Sequence, residues 1–269
     1  MSDVRLTHIG GPTVLIEVGG WRLLTDPTFD APGRRYGFGW GTSSRKLAGP
    51  AVAVDDIGRI DAVLLTHDHH ADNLDDAGRA LLPSAGAVVT TVSGARRLGG
   101  AARGLDPWRS TVLEAPGRPA LEVTATPCRH GPAHARAIIG DVVGFALRWD
   151  GQEHGALWIS GDTVLYDGVR SVADRVDVDL AIVHLGAVRF PLTGPIRYTL
   201  GAREAVALCE LVRPRTVVPV HYEGWSHFGE GRAAAAREFG HAPAAFAERV
   251  RWLTPGVATA LAGRGAPPR

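Results

Sequence analysis

An α/β fold with short strands is the class this sequence predicts, and three observations predict it. Short apolar runs, such as Ala62-Val63-Leu64-Leu65 and Thr216 to Val220, alternate with segments of helical spacing, such as Leu74 to Leu82 and Gly201 to Leu211. Several of the strand-like runs end on a histidine or an aspartate, at His67, Asp162, His184 and His221. The composition, 45% hydrophobic and 21% charged over 269 residues, suits a soluble chain with a sizeable core.

The chain opens as a β-meander, Arg5 to His8, Thr13 to Val18 and Trp21 to Thr25, with Gly19-Gly20 turning between the last two. From Phe29 to Pro50 neither period holds, so 30–50 reads as a long loop near the functional site, with Tyr36, Phe38 and Trp40 as candidates for a substrate-side flap. Ala62 to Leu65 is a buried strand ending at Thr66-His67. The helix Leu74 to Leu82 follows, capped by Asp72 or Asn73. Ala87 to Thr91 is a strand and Ser93 to Leu98 a small helix. Leu121 to Thr126 alternates as a strand and runs into Cys128-Arg129-His130. Val142 to Trp149 and Ala156 to Ser160 pair around the turn Asp150-Gly151, and the second leads to Asp162. Asp179 to Val183 and Thr216 to Val220 are the last strands. With no break between parts, residues 1–269 read as one domain, and 264–269 as a frayed tail.

A formal net charge of +1 gives no basic stripe for nucleic acid or an acidic membrane, so a small-molecule substrate is expected. Cys128 and Cys209 are too few for a disulfide framework or a Cys-rich zinc module, which suits a reducing cytoplasm. Met1 to Gly10 has no apolar leader core, and no run approaches the roughly 20 apolar residues of a membrane span, so a cytoplasmic protein without a transmembrane segment is expected.

The densest chemistry lies in Thr66-His67-Asp68-His69-His70-Ala71-Asp72-Asn73-Leu74-Asp75, at a strand-to-helix junction. Three imidazoles and several carboxylates in one loop match the nitrogen and oxygen ligands of zinc, and His130, Asp162 and His221 at other strand ends can converge on them. His154 and His241 lack such company and read as solvated, while His134 stands near enough to His130 to line the pocket.

From Leu6 to Leu253 the chain resembles the metallo-β-lactamase superfamily, in the branch with L-ascorbate-6-phosphate lactonase-like and N-acyl-phosphatidylethanolamine phospholipase D-like proteins. Ile9-Gly10, Thr13 to Glu17, Thr25-Asp26-Pro27, the histidine loop, Ser160 to Thr163 and Pro219-Val220-His221 carry the resemblance. It implies a four-layer αβ/βα sandwich holding two metals bridged by an aspartate and a water. Carried over, His67, His69 and His130 form the first site, Asp162 the bridge, and Asp72 with His221 the second. The loop departs from His-x-His-x-Asp-His: one added residue allows a second register, with His70 as ligand in place of His69, and puts Asn73 where the last histidine would stand. Asn is a poorer zinc ligand than imidazole, so one or two Zn2+ ions are expected, with Mn2+ or Fe as alternatives.

The expected activity is hydrolysis of a small-molecule ester, lactone or phosphodiester. Bound zinc brings the pKa of water to about 7 and polarises a carbonyl or phosphoryl oxygen. Asp72 is the candidate general base, and His184, His227 and Tyr222 are candidates to meet an oxyanion or leaving group. Arg197, Tyr198, Tyr222 and Trp225 are the substrate-side candidates, with Arg189 and Arg197 suited to a phosphate or carboxylate. The alternatives are a non-catalytic metal-binding or sensing member of the fold and an iron-dependent redox enzyme.

Overall fold

The computed structural model describes residues 4–133 and 139–261; His134 and the tail 264–269 lie outside them. The meander is β1 (Val4–Gly10), β2 (Thr13–Val18) and β3 (Trp21–Thr25). A small hairpin follows, β4 (Arg35–Gly37) and β5 (Ser43–Arg45), then β6 (Ala62–Leu64), β7 (Val88–Thr91), β8 (Ala102–Leu105) and β9 (Ser110–Leu113). The second half supplies β10 (Leu121–Pro127), β11 (Val143–Trp149), β12 (Ala156–Ile159), β13 (Val178–His184), β14 (Thr216–Val220) and β15 (Thr259–Leu261). Helices α1 (Asp76–Leu81), α2 (Val92–Leu98), α3 (Asp167–Arg170), α4 (Val172–Arg175), α5 (Ala202–Val212), α6 (Arg232–His241) and α7 (Ala244–Ala247) fill the connections.

Two mixed sheets result, ordered β15-β1-β2-β3-β6-β7-β8 and β14-β13-β12-β11-β10-β9. Alternation along each strand decides their packing. On β6, Ala62 and Leu64 face the other sheet while Val63 and Leu65 face the helix side; on β13, Leu180 and Ile182 face inward, and Ala181 and Val183 outward. The inner core joins Leu6, Ile16, Leu23 and Leu64 of the first sheet to Val123, Phe145, Ile159 and Val218 of the second. Outer cores seat Leu74 and Leu81 on one sheet and Ala205, Leu208 and Phe239 on the other. These are the four expected layers, and each fully buried Phe or Leu contributes about 1.5–3 kcal/mol.

One consequence positions the site. Strands β3 and β6 run parallel, as do β12, β13 and β14, and β10 shares their direction through two antiparallel steps. The residues just past their carboxyl ends, Asp26, His67, His130, Asp162 and His221, with His184 ending β13, therefore gather at one edge.

The structure departs locally from the sequence reading. The segment 30–50 holds the hairpin β4–β5, whose three-residue strands are too short to show a period. Helix α1 starts at Asp76 and is capped by Asp75, whose Oδ1 accepts from the Gly78 N–H at 2.9 Å. Neither Asp72 nor Asn73 caps it, because both side chains turn into the site. β8, β9 and β15 arise from stretches without clear alternation, and the β11–β12 connection spans Asp150 to Gly155 rather than two residues. Among the described residues no helix is long and apolar enough to cross a membrane.

Candidate metal centre

His67, His69 and His70 offer ring nitrogens that lie mutually within 4.8 Å, as do the donor atoms of His67, His130 and Asp162, and of Asp162, His184 and His221. Asp162 belongs to two groups and thus stands between two half-sites. Its turn is tight: Gly161 has φ +65°, and a Cβ there would meet the Val143 carbonyl oxygen at 2.7 Å. The same turn is tied to that of His130, because Thr163 Oγ1 accepts from the Arg129 N–H at 3.1 Å.

Second partners fix which nitrogen each imidazole presents. A carbonyl oxygen only accepts, so His130 Nδ1–H donates to Tyr198 O at 2.8 Å and His221 Nδ1–H to Leu185 O at 3.3 Å. Their Nε2 lone pairs are left for the interior. His67 Nδ1 meets Thr66 Oγ1 at 3.0 Å, and its Nε2 stands 3.2 Å from His70 Nδ1. Burial, then the neighbouring imidazoles, holds His67 and His70 well below the usual pKa of 6.5, and burial also lowers His130. Neutral imidazole is the metal-binding form.

The second half-site is electrostatically different. Asp72 and Asp162 are fully buried, which alone would raise their pKa values; the nearby His221, with His227 beside Asp72 and His184 beside Asp162, outweighs burial and keeps both carboxylates ionised. Against the effect of its own burial, Asp162 and Asp72 push His221 up to about 9. Two carboxylates around one imidazole make this a place for positive charge.

Metal fits both halves. Ligand atoms sharing a tetrahedral zinc with bonds of 2.0–2.1 Å stand about 3.3 Å apart. His67 Nε2 and His70 Nδ1 are 3.2 Å apart, and His221 Nε2 is 3.5 Å from both Asp72 Oδ2 and Asp162 Oδ2. Asp72 Oδ1, Asp162 Oδ2, His184 Nε2 and His221 Nε2 are buried with no hydrogen-bond partner, a costly state unless a cation satisfies them.

His70 is the more enclosed of the two rival loop histidines, with its ring 5.0 Å from that of His130. His69 lies nearer the rim against Gly140, where φ is +84° and a Cβ would come within 2.5 Å of the ring. Asn73 is held at the edge of the cluster, its Nδ2 donating to Asp26 Oδ2 at 3.3 Å and Thr66 Oγ1 at 3.4 Å. His221 and Asp26 take left-handed φ values of +58° and +32°, backbone strain at two strand ends that redirects their side chains.

Other expected residues are distributed unevenly. His227 is buried beside the centre: Nε2 is 3.0 Å from Asp72 Oδ2, Nδ1 bonds Ser44 Oγ, and the ring stacks on Phe190 at 5.1 Å. Tyr198 flanks His130, and Trp225 backs Phe38 and His227, both ring pairs at 6.1 Å. Tyr222 is not on the substrate side, since it is buried in the outer core against Trp252. Arg197 is committed to Glu204 at 3.3 Å on the surface. His184 is fully buried, its Nδ1 2.9 Å from Asp162 Oδ1, so it forms part of the site's floor rather than its mouth. Of the flap candidates only Phe38 reaches the site, 4.9 Å from the His227 ring and 5.4 Å from His70; Tyr36 is buried against Trp225 and Trp40 is exposed.

Sequence reading missed the roles of Asp26, Ser44 and Asp75. Asp26 was within reach of the strand-then-acid pattern, since it follows β3 directly; its Oδ1 accepts from Thr66 N–H at 2.7 Å, steadying the start of the histidine loop. Cys128 lies close by but is no ligand: burial, then Asp162 and Asp26, pushes its thiol pKa up, and the thiol donates to Ser160 O.

The metallo-β-lactamase fold is the class that this scaffold and this cluster define. Residues 21–222 match the family model for the Beta-lactamase superfamily domain, and the chain belongs to that superfamily. A UPF0173 metal-dependent hydrolase of Pelotomaculum thermopropionicum is 26% identical over 268 residues, covering 96% of this chain and 100% of the relative. Another, from Pyrococcus furiosus, is 25% identical over 230 residues, covering 82% and 86%. The solved isothiocyanate hydrolase from Delia radicum gut bacteria superposes with a TM-score of 0.80 at 20% identity, covering 96% of this chain and 99% of that one, a likeness of fold.

Proposed function

We propose that the protein hydrolyses an ester or lactone of a small, largely apolar molecule at a dinuclear zinc centre. His67, His70 and His130 would hold the first metal, Asp72 and His221 the second, and Asp162, whose donor atom belongs with both groups, would serve both. The observation that carries this reading is the set of buried donor atoms on Asp72, Asp162 and His221 without hydrogen-bond partners. When bound, zinc supplies water activation at neutral pH and Lewis acidity toward the scissile carbonyl.

The chain's own groups supply the rest. His227 carries a proton at Nε2 toward Asp72 Oδ2, and the Ser44 contact at Nδ1 sets the ring's orientation. We assign it the role of delivering a proton to the departing alkoxide. Asp72, kept ionised, orients the water and receives its proton. Phe38 and Phe190, 5.5 Å apart, line the approach and exclude solvent from the reacting bond. Commitment of Arg197 to Glu204, together with this aromatic wall, favours a neutral ester or lactone over a phosphodiester.

The test is hydrolysis of a nitrophenyl ester, a γ- and a δ-lactone, a bis-nitrophenyl phosphate and, because the isothiocyanate hydrolase shares the fold, an aryl isothiocyanate. Ester or lactone turnover that chelation removes and zinc or manganese restores is the expected result. Phosphodiester turnover alone would overturn the substrate class, and metal-independent turnover would overturn the mechanism.

A further inference from the structure

The second half-site, as drawn from Asp72, Asp162 and His221, holds two carboxylates and a single imidazole, a poor set for a metal of zinc's borderline softness. The residue after Asp72 offers only an amide oxygen, Asn73 Oδ1, which is buried without a hydrogen-bond partner but is a poorer zinc ligand than imidazole. Asn73 directs its amide nitrogen, which has no lone pair to give, at Asp26 Oδ2 and Thr66 Oγ1. Resting on the reading of this cluster as a metal centre, we propose that His184, from the end of β13, supplies the second site's missing imidazole and so replaces the histidine that Asn73 displaces.

Topology puts His184 in the right place. β13 and β14 are parallel, and His184 pairs in register with Val220, one residue before His221. The two imidazoles therefore leave neighbouring strands side by side, with ring centroids 5.5 Å apart at 23°. Donor atoms of Asp162, His184 and His221 lie mutually within 4.8 Å. The main-chain N–H of His184 donates to Ser160 Oγ at 2.9 Å, which ties this strand end to the turn bearing Asp162.

The exchange with Asn73 is spatial as well as chemical. Asn73 Nδ2 is 3.3 Å from Asp26 Oδ2, and His184 Nε2 is 4.0 Å from the same oxygen. The two side chains thus converge on one point from opposite elements, the loop and the strand, and a small amide on the loop leaves room for the ring from the strand. His184 Nε2 is buried with no hydrogen-bond partner, as are Asp72 Oδ1, Asp162 Oδ2 and His221 Nε2. Most buried side-chain nitrogens are hydrogen-bonded, so an unpartnered Nε2 among three other unpartnered donor atoms of one cluster calls for a ligand.

Cobalt titration of the metal-stripped, tag-free protein tests the assignment, read as visible absorption and bound cobalt per chain. Wild type is expected to take up two equivalents. His184→Ala and the closer-sized His184→Gln are expected to keep one equivalent, which also reports that the fold survives, and to bind the second at least about 10-fold more weakly. Asn73→His combined with His184→Ala is expected to recover the second equivalent and its absorption. Two equivalents with unchanged affinity and spectrum in both single variants would overturn the role of His184 while leaving the dinuclear centre standing. Failure of wild type itself to bind cobalt would remove the centre and this inference together.

Discussion

The two halves of the centre are built differently. One is His67 and His70 of the same loop plus His130, each held below the usual imidazole pKa, by burial first. The other places the carboxylates of Asp72 and Asp162 each 3.5 Å from one imidazole, His221. Two imidazoles of the first half, His67 and His70, are sequence neighbours, whereas the second half depends on strands β12, β13 and β14 being in register.

Asp162 is shared by both halves, so Asp162→Ala is expected to have the largest effect, removing both metals and lowering kcat/KM by more than the 10–100-fold typical of losing a supporting group. Elemental analysis beside kinetics checks it, and retention of two metals would dissolve the shared-carboxylate picture. Next comes His227→Ala, with kcat expected to fall by about 10²–10⁴-fold while metal content stays unchanged, which separates proton delivery from ligation. Lys46→Ala bears on the frame rather than the chemistry. Lys46 is buried 2.7 Å from Asp75, the carboxylate that also caps α1 and accepts from Phe29 and Asp30, so its loss is expected to destabilise the fold by about 3 kcal/mol in chemical denaturation.

The smallest effect is expected at Asp68, whose carboxylate pairs with the half-exposed Arg97. Burial works to raise the Asp68 pKa, but Arg97 and His69 hold it below the ordinary 3.8. A folded-state value below the unfolded one means stabilisation present above the carboxylate range and lost as pH falls through it. Asp68→Asn is therefore expected to cost ~1 kcal/mol or less at pH 7, a gap in Tm that closes below pH 3.8.

The histidine cluster was legible in the sequence because His67, His69 and His70 are neighbours along the chain and need only a turn to converge. The strand-then-His pattern also located His130, Asp162, His184 and His221, since parallel strands deliver their ends to one edge. Illegible were contacts between distant segments. Asp72 and His227 stand 155 residues apart, and Ser44 and His227 183 apart, and nothing local marks Ser44 as their partner. Tyr222 and Arg197 were misread for the same reason: a tyrosine beside a ligand histidine and an arginine in a loop both look available until Trp252 and Glu204 are folded against them. The cap of α1 was misplaced because Asp72, Asn73 and Asp75 are all good capping types, and only the demands of the site on the first two leave Asp75 for the helix.

Bound metal in the wild-type protein, purified without a polyhistidine tag and weighed by elemental mass spectrometry against protein concentration, tests the central claim most directly. The account predicts close to two metal ions per chain once zinc or manganese is supplied. A chain that stays metal-free under those conditions would contradict it.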